Sequence, residues 1–427
     1  MSVRAGIVVT GTEVITGRTI DRNGPWVSEH LGELGVEVAH LDCVGDRAED
    51  LAALLGFLGR ERMDLIVTTG GLGPTADDLT TQIVADFCGR EMLLDSAMEE
   101  KITKIIEGFA KRMKFDPEAM RAGTRKQAMI PAGAIPLDPA GTAPGVVVPA
   151  AGGNPVVVVL PGPPRELQTM WPAAIASEPV VDLLGEADSL LTASMKMFGV
   201  PESTLAKSLR EIEAEADISE LEITTCLRRG AELEIDVRFR EGEEGAQEAL
   251  FDGLRERHGP YVYTESGKSI DELVAELLAG RSIACAESCT GGLLAARLTE
   301  RAGASAYFAG GAVAYSDEAK RELLGVPGEL IEARGAVSIE VAEAMATGAI
   351  ERFDAEVGVG ITGVAGPEGG TEAKPVGYVC ICVAGRDGPR LVRDPKLPGG
   401  RGDVRDRSVS VALHMIRRLL IGEELPW

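Results

Sequence analysis

The chain has 427 residues, of which 45% are hydrophobic, 26% charged and 4% aromatic. This composition is typical of soluble globular domains with aliphatic cores, and the length predicts two to four such domains. The formal net charge of −24 disfavours nucleic acid as a partner, because DNA binding would need a local basic patch that the sequence does not contain.

Hydropathy, the N-terminal sequence and the cysteine and histidine spacing exclude further classes of protein. The longest apolar run, 156–160, ends at Pro161, far short of the roughly 18 residues of a membrane helix. The N-terminus has no signal-peptide pattern, so we expect a cytoplasmic protein that contacts no membrane. The seven cysteines form no Cys-x-x-Cys pair and the four histidines stand in no ligand spacing, which predicts free thiols and no zinc site.

The first part of the chain, residues 1–171, alternates strand and helix patterns. This alternation predicts a parallel sheet with helices on both faces. The predicted strands cover 5–9, 36–41, 64–68, 145–148 and 155–160, and the predicted helices cover 26–34, 48–58 and 77–87. A break at Pro161-Gly162-Pro163-Pro164 precedes one more helix.

The character of the sequence changes twice after this region. Residues 172–265 are rich in glutamate and contain no glycine-rich functional loop, which predicts a small α+β module. A helix over 269–278 and a strand over 282–286 then open a second α/β domain, residues 266–427. No fixed-period repeat is present.

A glycine-rich loop with paired aspartates follows the third predicted strand. Gly70, Gly71 and Gly73 would let backbone N–H groups approach a phosphate at a helix N-terminus. Asp77 and Asp78 follow in the first turn of the predicted helix, where they would repel a bare pyrophosphate unless a divalent cation bridged them. The alternative is that the two carboxylates only complement the helix dipole.

Three further segments end strands of the same sheet. They are Gly11-Thr12-Glu13, the loop with Asp46, and Leu160-Pro161-Gly162-Pro163-Pro164. Because open α/β sheets bind ligands at the carboxyl edge of their strands, we expect these segments to surround one site.

A serine stands on a predicted strand-to-helix turn, Cys285-Ala286-Glu287-Ser288-Cys289-Thr290-Gly291-Gly292. A hydroxyl here would lie beside free N–H groups near Thr290 and Gly291, which suits a nucleophile whose tetrahedral intermediate needs an oxyanion hole. The alternative is that Ser288 or Thr290 is only the N-cap of the helix.

Two later segments supply what a simple cap would not need. Tyr315 and Lys320 lie at the next strand-to-helix junction, where a lysine with a lowered pKa or a phenolate could activate the serine. No histidine of this domain precedes His414, so a Ser-His-Asp triad is not expected. The glycine-rich stretch 360–377 could wrap a nucleotide phosphate with backbone amides.

Together these motifs resemble the CinA family along the whole chain. Thr69-Gly70-Gly71-Leu72-Gly73-Pro74-Thr75 with Asp77-Asp78 is similar to its molybdopterin-binding-like N-terminal domain. The acidic middle segment is similar to its KH-like connector, and its missing GxxG loop argues against RNA binding. The serine turn, Tyr315-Ser316-Asp317-Glu318-Ala319-Lys320 and the loop from Gly363 to Gly377 resemble the C-terminal domain.

The resemblance implies two activities. The C-terminal amidohydrolase domain would deamidate nicotinamide mononucleotide without a cofactor, with Ser288 as nucleophile and Tyr315 and Lys320 as base and proton relay. The N-terminal domain would hydrolyse ADP-ribose with a divalent metal ion (Mg²⁺, Mn²⁺ or Co²⁺), with Asp46, Asp77 and Asp78 as the metal and acid groups. A homodimer is expected.

The loops of these motifs supply the expected substrate contacts. In the C-terminal domain they are Thr290, Gly291, Gly292, Gly363, Gly366, Gly369, Gly370 and Thr371. In the N-terminal domain they are Gly70, Gly71, Gly73, Thr75, Gly162 and Pro163. The sequence departs from the family pattern at Thr362, at Val364 and at Arg407-Ser408, which bears on substrate contacts more than on the chemistry.

Two alternatives of a different class stay open. The N-terminal half could be a pterin- or nucleotide-binding module without catalysis, which would leave ADP-ribose intact. The chain could also be a competence or DNA-damage accessory protein, although its acidic surface disfavours direct contact with DNA.

Overall fold

The computed structural model describes residues 3–110, 117–185, 190–228 and 230–426. The chain divides into two compact units, Met1–Leu190 and Leu191–Trp427. The α+β segment that the sequence sets apart as a connector therefore falls largely in the second unit. Among the described residues we find no helix whose length and apolar content would let it span a membrane.

The first unit is built on a six-stranded sheet, in the order β2-β1-β3-β8-β7-β6. Its strands are β1 (Arg4–Thr10), β2 (Glu37–Val44), β3 (Leu65–Thr69), β6 (Ile135–Leu137), β7 (Gly145–Val148) and β8 (Val156–Leu160), with β4 (Met92–Leu94) and β5 (Met129–Pro131) pairing separately. Strands β2, β1, β3 and β8 run parallel, while β7 and β6 are antiparallel additions. The predicted parallel sheet is confirmed.

Helices cover both faces of this sheet, as the fully buried β3 and β8 require. The helices of this unit are α1 (Thr12–Ile15), α2 (Asn23–Glu33), α3 (Ala48–Arg60), α4 (Thr80–Phe87), α5 (Ser96–Ala110), α6 (Pro117–Gln127), α7 (Pro164–Ile175) and α8 (Glu178–Gly185). The helix predicted over 77–87 begins only at Thr80, so Asp77 and Asp78 lie in the preceding turn and not in a first helical turn. That turn is closed because the amide of Thr80 donates to the carbonyl of Gly71.

The second unit starts with a four-stranded sheet, in the order β10-β11-β9-β12. Its elements are β9 (Leu190–Phe198), α9 (Glu202–Glu215), β10 (Glu222–Arg228), β11 (Glu232–Arg240), α10 (Glu244–His258) and β12 (Val262–Thr264). The predicted α+β character of this segment agrees with these elements.

A five-stranded mixed sheet follows, in the order β14-β13-β15-β16-β17. Its strands are β13 (Ile283–Glu287), β14 (Phe308–Val313), β15 (Val357–Gly363), β16 (Val379–Gly385) and β17 (Arg390–Arg393). Its helices are α11 (Ile270–Leu277), α12 (Leu293–Thr299), α13 (Asp317–Leu324), α14 (Gly328–Arg334), α15 (Ile339–Phe353) and α16 (Arg401–Ile421).

The central strand β13 runs parallel to both of its neighbours, β14 and β15. Helices α11, α12 and α16 pack on one face of the sheet, and α13 and α15 pack on the other. This three-layer arrangement brings the carboxyl ends of β13, β14 and β15 to one edge, where the predicted serine, tyrosine and lysine lie. The predicted α/β class is confirmed for this domain.

Candidate active sites

Ser288 lies directly after the central strand of the C-terminal sheet. Its amide donates to the carbonyl of Ile361 on the neighbouring strand β15, 2.9 Å away, and its carbonyl accepts from the amide of Gly291 at 3.0 Å. Gly291 and Gly292 then take positive φ angles of 59° and 94°, which glycine adopts without a steric cost. Helix α12 begins only at Leu293, so Ser288 stands in a separate turn and does not cap the helix.

Lys320 reaches the serine from the next junction of the sheet. Its Nζ lies 3.3 Å from Oγ of Ser288 and 3.4 Å from the carbonyl oxygen of Tyr315. Both side chains are buried, with 2% of Lys320 and 8% of Ser288 exposed. Ser316 caps helix α13 by accepting from the amide of Ala319, and this places Lys320 on the first turn facing the serine.

The environment of the amine makes its neutral form more accessible than in an exposed lysine. Burial lowers the pKa of Lys320, and the carboxylate of Asp317, 4.0 Å away, opposes part of that shift. A neutral amine beside a hydroxyl can accept its proton, whereas an ammonium group cannot. The structure thus shows a buried hydroxyl in contact with an amine whose pKa is lowered.

Tyr315 occupies the rim of this site rather than its floor. Its side chain is 57% exposed, and its hydroxyl accepts from Nη2 of Arg401 at 2.8 Å. Arg401 also donates to the carbonyl of Gly366 at 2.8 Å. Within the described part of the chain, the hydroxyl makes no hydrogen bond to Ser288 or Lys320; the lysine contacts the tyrosine's carbonyl instead.

The neighbouring thiol has a different environment. Cys289 is buried, and burial raises the pKa of its thiol to about 12. A thiol with this pKa stays protonated near neutral pH, and a protonated thiol is a weak nucleophile. The physical argument thus favours Ser288 over Cys289.

The amides expected to form an oxyanion hole are partly engaged already. The amide of Gly291 donates to the carbonyl of Ser288, and the amide of Gly292 donates to the carboxylate of Glu287. The expectation that the Gly291 amide is free is therefore wrong, because the serine turn closes on itself. Thr290 is fully buried, and its carbonyl accepts from Nη2 of Arg405 at 2.8 Å.

Close packing requires several of the glycines in the loop after β15. A Cβ atom on Gly363 would lie 2.8 Å from the side chain of Val379, and one on Gly366 would lie 2.5 Å from Val376. Gly369 has a positive φ of 84°, and Gly370 approaches the backbone of Val376. Thr371 and Lys374 close an exposed turn through two hydrogen bonds. The carbonyl of Gly366 accepts a hydrogen bond from Arg401, so this loop lies at the rim of the serine site.

All the predicted site residues of the N-terminal unit except Thr75 line one cleft of about 400 Å³. The cleft lies at the carboxyl edge of the parallel strands, as expected. Its lining is Thr10, Gly11, Glu13, Asp46, Gly70, Gly71, Leu72, Gly73, Asp77, Asp78, Gln127, Thr142, Ala143, Pro161, Gly162, Pro163 and Glu166.

Thr75 ties the two aspartates together. Its hydroxyl contacts Asp77 and lies 2.6 Å from a carboxylate oxygen of Asp78, whose same oxygen also accepts from the amide of Thr75. The hydrogen bond from Thr75 is the main reason that the pKa of Asp77 is lowered. Asp46 accepts a hydrogen bond from the amide of Thr12 at 3.0 Å. In the described ranges, no three His, Cys, Asp or Glu side chains are arranged as a preformed metal cage.

Comparisons with known proteins agree on one family. A model described as the CinA C-terminal domain matches residues 267–420, and one described as a probable molybdopterin binding domain matches residues 6–181. A CinA-like protein of Mycobacterium sp. (strain JLS) is 57% identical over 98% of this chain and 99% of its own. One of Mycolicibacterium vanbaalenii is 57% identical over 99% and 100%. The chain belongs to the CinA family.

A solved structure is also similar to part of this CinA-family chain. It is the competence/damage inducible protein CihA from Agrobacterium tumefaciens, which is 40% identical, with a TM-score of 0.34. The match covers 37% of this chain and 99% of that one.

Four residues at the two sites of this CinA-family chain are not predicted by the sequence. Arg401 and Glu287 lie at the serine site. The only sequence signal for Arg401 is the preceding pair Gly399-Gly400 at the start of the last helix. Glu166 lines the N-terminal cleft, where burial raises the pKa of its carboxyl. Asn23 is buried and donates to Oγ1 of Thr69 at 2.8 Å and to the carbonyl of Gly162 at 2.7 Å, which holds the two loops together.

Proposed function

We propose that the C-terminal domain deamidates nicotinamide mononucleotide to nicotinate mononucleotide and ammonia. The observation that carries this proposal is the buried contact of 3.3 Å between Nζ of Lys320 and Oγ of Ser288. Amide hydrolysis needs a nucleophile and a group that can give a proton to the departing nitrogen. A serine with a neutral lysine supplies both.

The reaction proceeds in two halves. Lys320 takes the proton of Ser288 while Oγ attacks the carboxamide carbon, and the ammonium form of Lys320 then protonates the leaving nitrogen as ammonia departs. This leaves an ester between Ser288 and the nicotinoyl group. Lys320 next deprotonates a water molecule that attacks the ester, and the carboxylate product leaves as Oγ recovers its proton.

Residues on the rim are suited to hold the rest of the nucleotide. Arg401 presents a guanidinium beside the glycine-rich loop, and its fork of N–H donors suits a phosphate. The exposed ring of Tyr315 stands next to it and offers a surface for the pyridine or ribose. In this arrangement Tyr315 binds substrate, while the proton transfers belong to Lys320.

Product analysis tests this proposal. The full-length protein is incubated with nicotinamide mononucleotide, and ammonia and nicotinate mononucleotide are quantified together. Equal amounts of both, absent in Ser288→Ala, support a serine amidohydrolase. Release of free nicotinamide instead would mean that the glycosidic bond is cleaved, and it would overturn the assignment.

For the N-terminal unit we propose hydrolysis of the ADP-ribose pyrophosphate. The observation behind this proposal is the 400 Å³ cleft, in which Asp46, Asp77, Asp78 and Glu166 surround the glycine loop. Its oxygen donors suit a divalent cation held by one or two carboxylates, with water and substrate phosphates completing the shell. A bound cation would neutralise charge on the pyrophosphate, which these carboxylates would otherwise repel.

Different residues of the cleft would bind the phosphates, hold the carboxylates and transfer protons. The glycine loop lines the cleft, and a Cβ atom on Gly70 or Gly71 would collide with Thr10 or with Thr80. The hydroxyl of Thr75 holds Asp77 and Asp78 together, and its hydrogen bond lowers the pKa of Asp77. Glu166 is partly buried and has a raised pKa, which suits a group that gives or accepts a proton.

Incubation with ADP-ribose and Mg²⁺, Mn²⁺ or Co²⁺ tests this second activity. Formation of AMP and ribose 5-phosphate that stops with a chelator supports the proposal. Intact ADP-ribose under all three metals would favour the alternative of a non-catalytic pterin- or nucleotide-binding module.

A further inference from the structure

Glu287 is a buried carboxylate beside the proposed nucleophile. It is the last residue of strand β13, and only 1% of its surface is exposed. Its Oε2 accepts from the amides of Gly292 and Leu294, both at 3.0 Å, and its Oε1 accepts from the amide of Ala295 at 2.8 Å. One side chain thus binds three amides at the start of helix α12.

These contacts supply what a buried charge requires. A carboxylate loses its hydration on burial and must find donors within the protein. Besides the three amides, the thiol of Cys285 lies 3.5 Å from Oε1. In the part of the chain that the structure describes, no cation pairs with Glu287, so backbone dipoles at the helix start carry the compensation.

The carboxylate also closes the turn that contains the serine. Glu287 precedes Ser288, and its amide partners follow it, so the side chain spans the turn from one end to the other. The amide of Gly291 donates to the carbonyl of Ser288 within the turn, and the amide of Ser288 donates to the carbonyl of Ile361 on strand β15. These five hydrogen bonds, three to the Glu287 side chain and two between backbone groups, fix the loop more tightly than a single cap would.

We propose that Glu287 is the positioning residue that holds Oγ of Ser288 at the distance from Lys320 that proton transfer needs. This inference rests on the proposed deamidation and adds the group that orders its nucleophile. Glu287 acts through the turn and does not touch the substrate. Displacement of a nucleophile by about 1 Å can cost on the order of 100-fold in rate, so a loosened turn would show in kcat.

The arrangement needs a side chain in which both oxygens accept hydrogen bonds. Glutamine has nearly the same shape but one acceptor oxygen, and its NH₂ group would point at one of the three backbone amides, donor against donor. The substitution Glu287→Gln therefore loosens the turn while conserving side-chain volume.

The experiment compares Glu287→Gln with Glu272→Gln. Glu272 is a matched control because its carboxylate accepts from the amide of Ser269 in the capping box of α11, away from the serine. Three quantities are measured in the full-length protein: kcat and KM for nicotinamide mononucleotide, the rate of Ser288 labelling by a fluorophosphonate, and amide hydrogen exchange of peptides covering 288–298.

For Glu287→Gln we expect kcat to fall by at least about tenfold with KM changed less than about threefold, slower labelling, and faster exchange over 288–298. Glu272→Gln should keep parental kcat and labelling even if its melting temperature drops. A Glu287→Gln variant with a lower melting temperature but parental kcat and labelling would make Glu287 a merely structural residue and overturn the proposal.

Failure of the deamidation can be told apart from failure of this inference. If the parent protein neither deamidates the substrate nor labels at Ser288, the proposed function is wrong. Exchange over 288–298 then tests whether Glu287 orders the serine turn, and unchanged exchange in Glu287→Gln would overturn that part of the inference.

Discussion

Replacement of Lys320 by methionine tests the base most sharply. The substitution keeps an unbranched side chain of similar length in a site where only 2% of the lysine is exposed, so it removes the amine and little else. Loss of a positioned general base costs about 10² to 10⁴ in rate. Because Nζ lies 3.3 Å from Oγ of Ser288, we expect kcat to fall by that factor while KM stays close to the parental value.

The same substitution should change stability with a defined sign. Burial lowers the pKa of Lys320 in the folded state below its unfolded value of 10.5. The charged form is therefore disfavoured by folding, and this penalty is fully present below the folded pKa and disappears as pH rises to 10.5. Each unit of difference is worth about 1.4 kcal/mol, so Lys320→Met should be as stable as the parent or more stable at neutral pH.

Two assays check both parts. A pH profile of kcat/KM in the parent should rise along a limb that ends below pH 10.5, and this limb should vanish in Lys320→Met. Chemical denaturation at pH 7 and at high pH should show the stability difference shrinking as pH rises. Near-parental kcat with only a raised KM would reduce Lys320 to a binding residue and refute the reasoning.

Three other substitutions give further tests. Ser288→Ala should abolish ammonia release and Cys289→Ala should leave it within about tenfold, because only the serine has a base; loss of activity in Cys289→Ala together with inactivation by a thiol reagent would reverse the assignment. Tyr315→Phe should keep kcat within about tenfold and raise KM, since its hydroxyl contacts Arg401 and not the lysine; a fall in kcat of several hundredfold would restore Tyr315 as a proton relay. Asp77→Asn and a chelator should both stop ADP-ribose hydrolysis and leave deamidation intact; loss of both activities on chelation would contradict a metal-free deamidase.

Local patterns predict the elements of this fold well. The valine-rich runs produce buried parallel strands, and Ser316 starts the helix that carries Lys320. Since the carboxyl ends of parallel strands share one edge, the sequence also predicts that Ser288 and Lys320 lie close together, and the structure places them in contact.

Contacts made by the backbone are harder to predict. The amide of Gly291 donates to the carbonyl of Ser288, and no residue pattern predicts that closed turn. In the sequence, Glu287 cannot be distinguished from any other carboxylate at the end of a strand. Its contacts with three backbone amides depend on the fold. Arg401 lies 86 residues from Tyr315, so its contact depends on tertiary structure alone.

The N-terminal loop shows the same limit on a smaller scale. Asp77 and Asp78 look like first-turn residues, because acidic groups favour helix starts. Thr75 instead draws both carboxylates back into a turn, and helix α4 begins at Thr80. A side chain that competes for local hydrogen bonds thus shifts the helix start by three residues relative to the pattern.

Interception of the acyl intermediate tests the central claim most directly. Hydroxylamine added during turnover of nicotinamide mononucleotide competes with water for the ester on Ser288. We predict that the hydroxamate of nicotinate mononucleotide forms at the expense of the acid, that ammonia release continues, and that neither product appears with Ser288→Ala. Ammonia release without any hydroxamate, or with activity retained in Ser288→Ala, would contradict covalent catalysis by this serine.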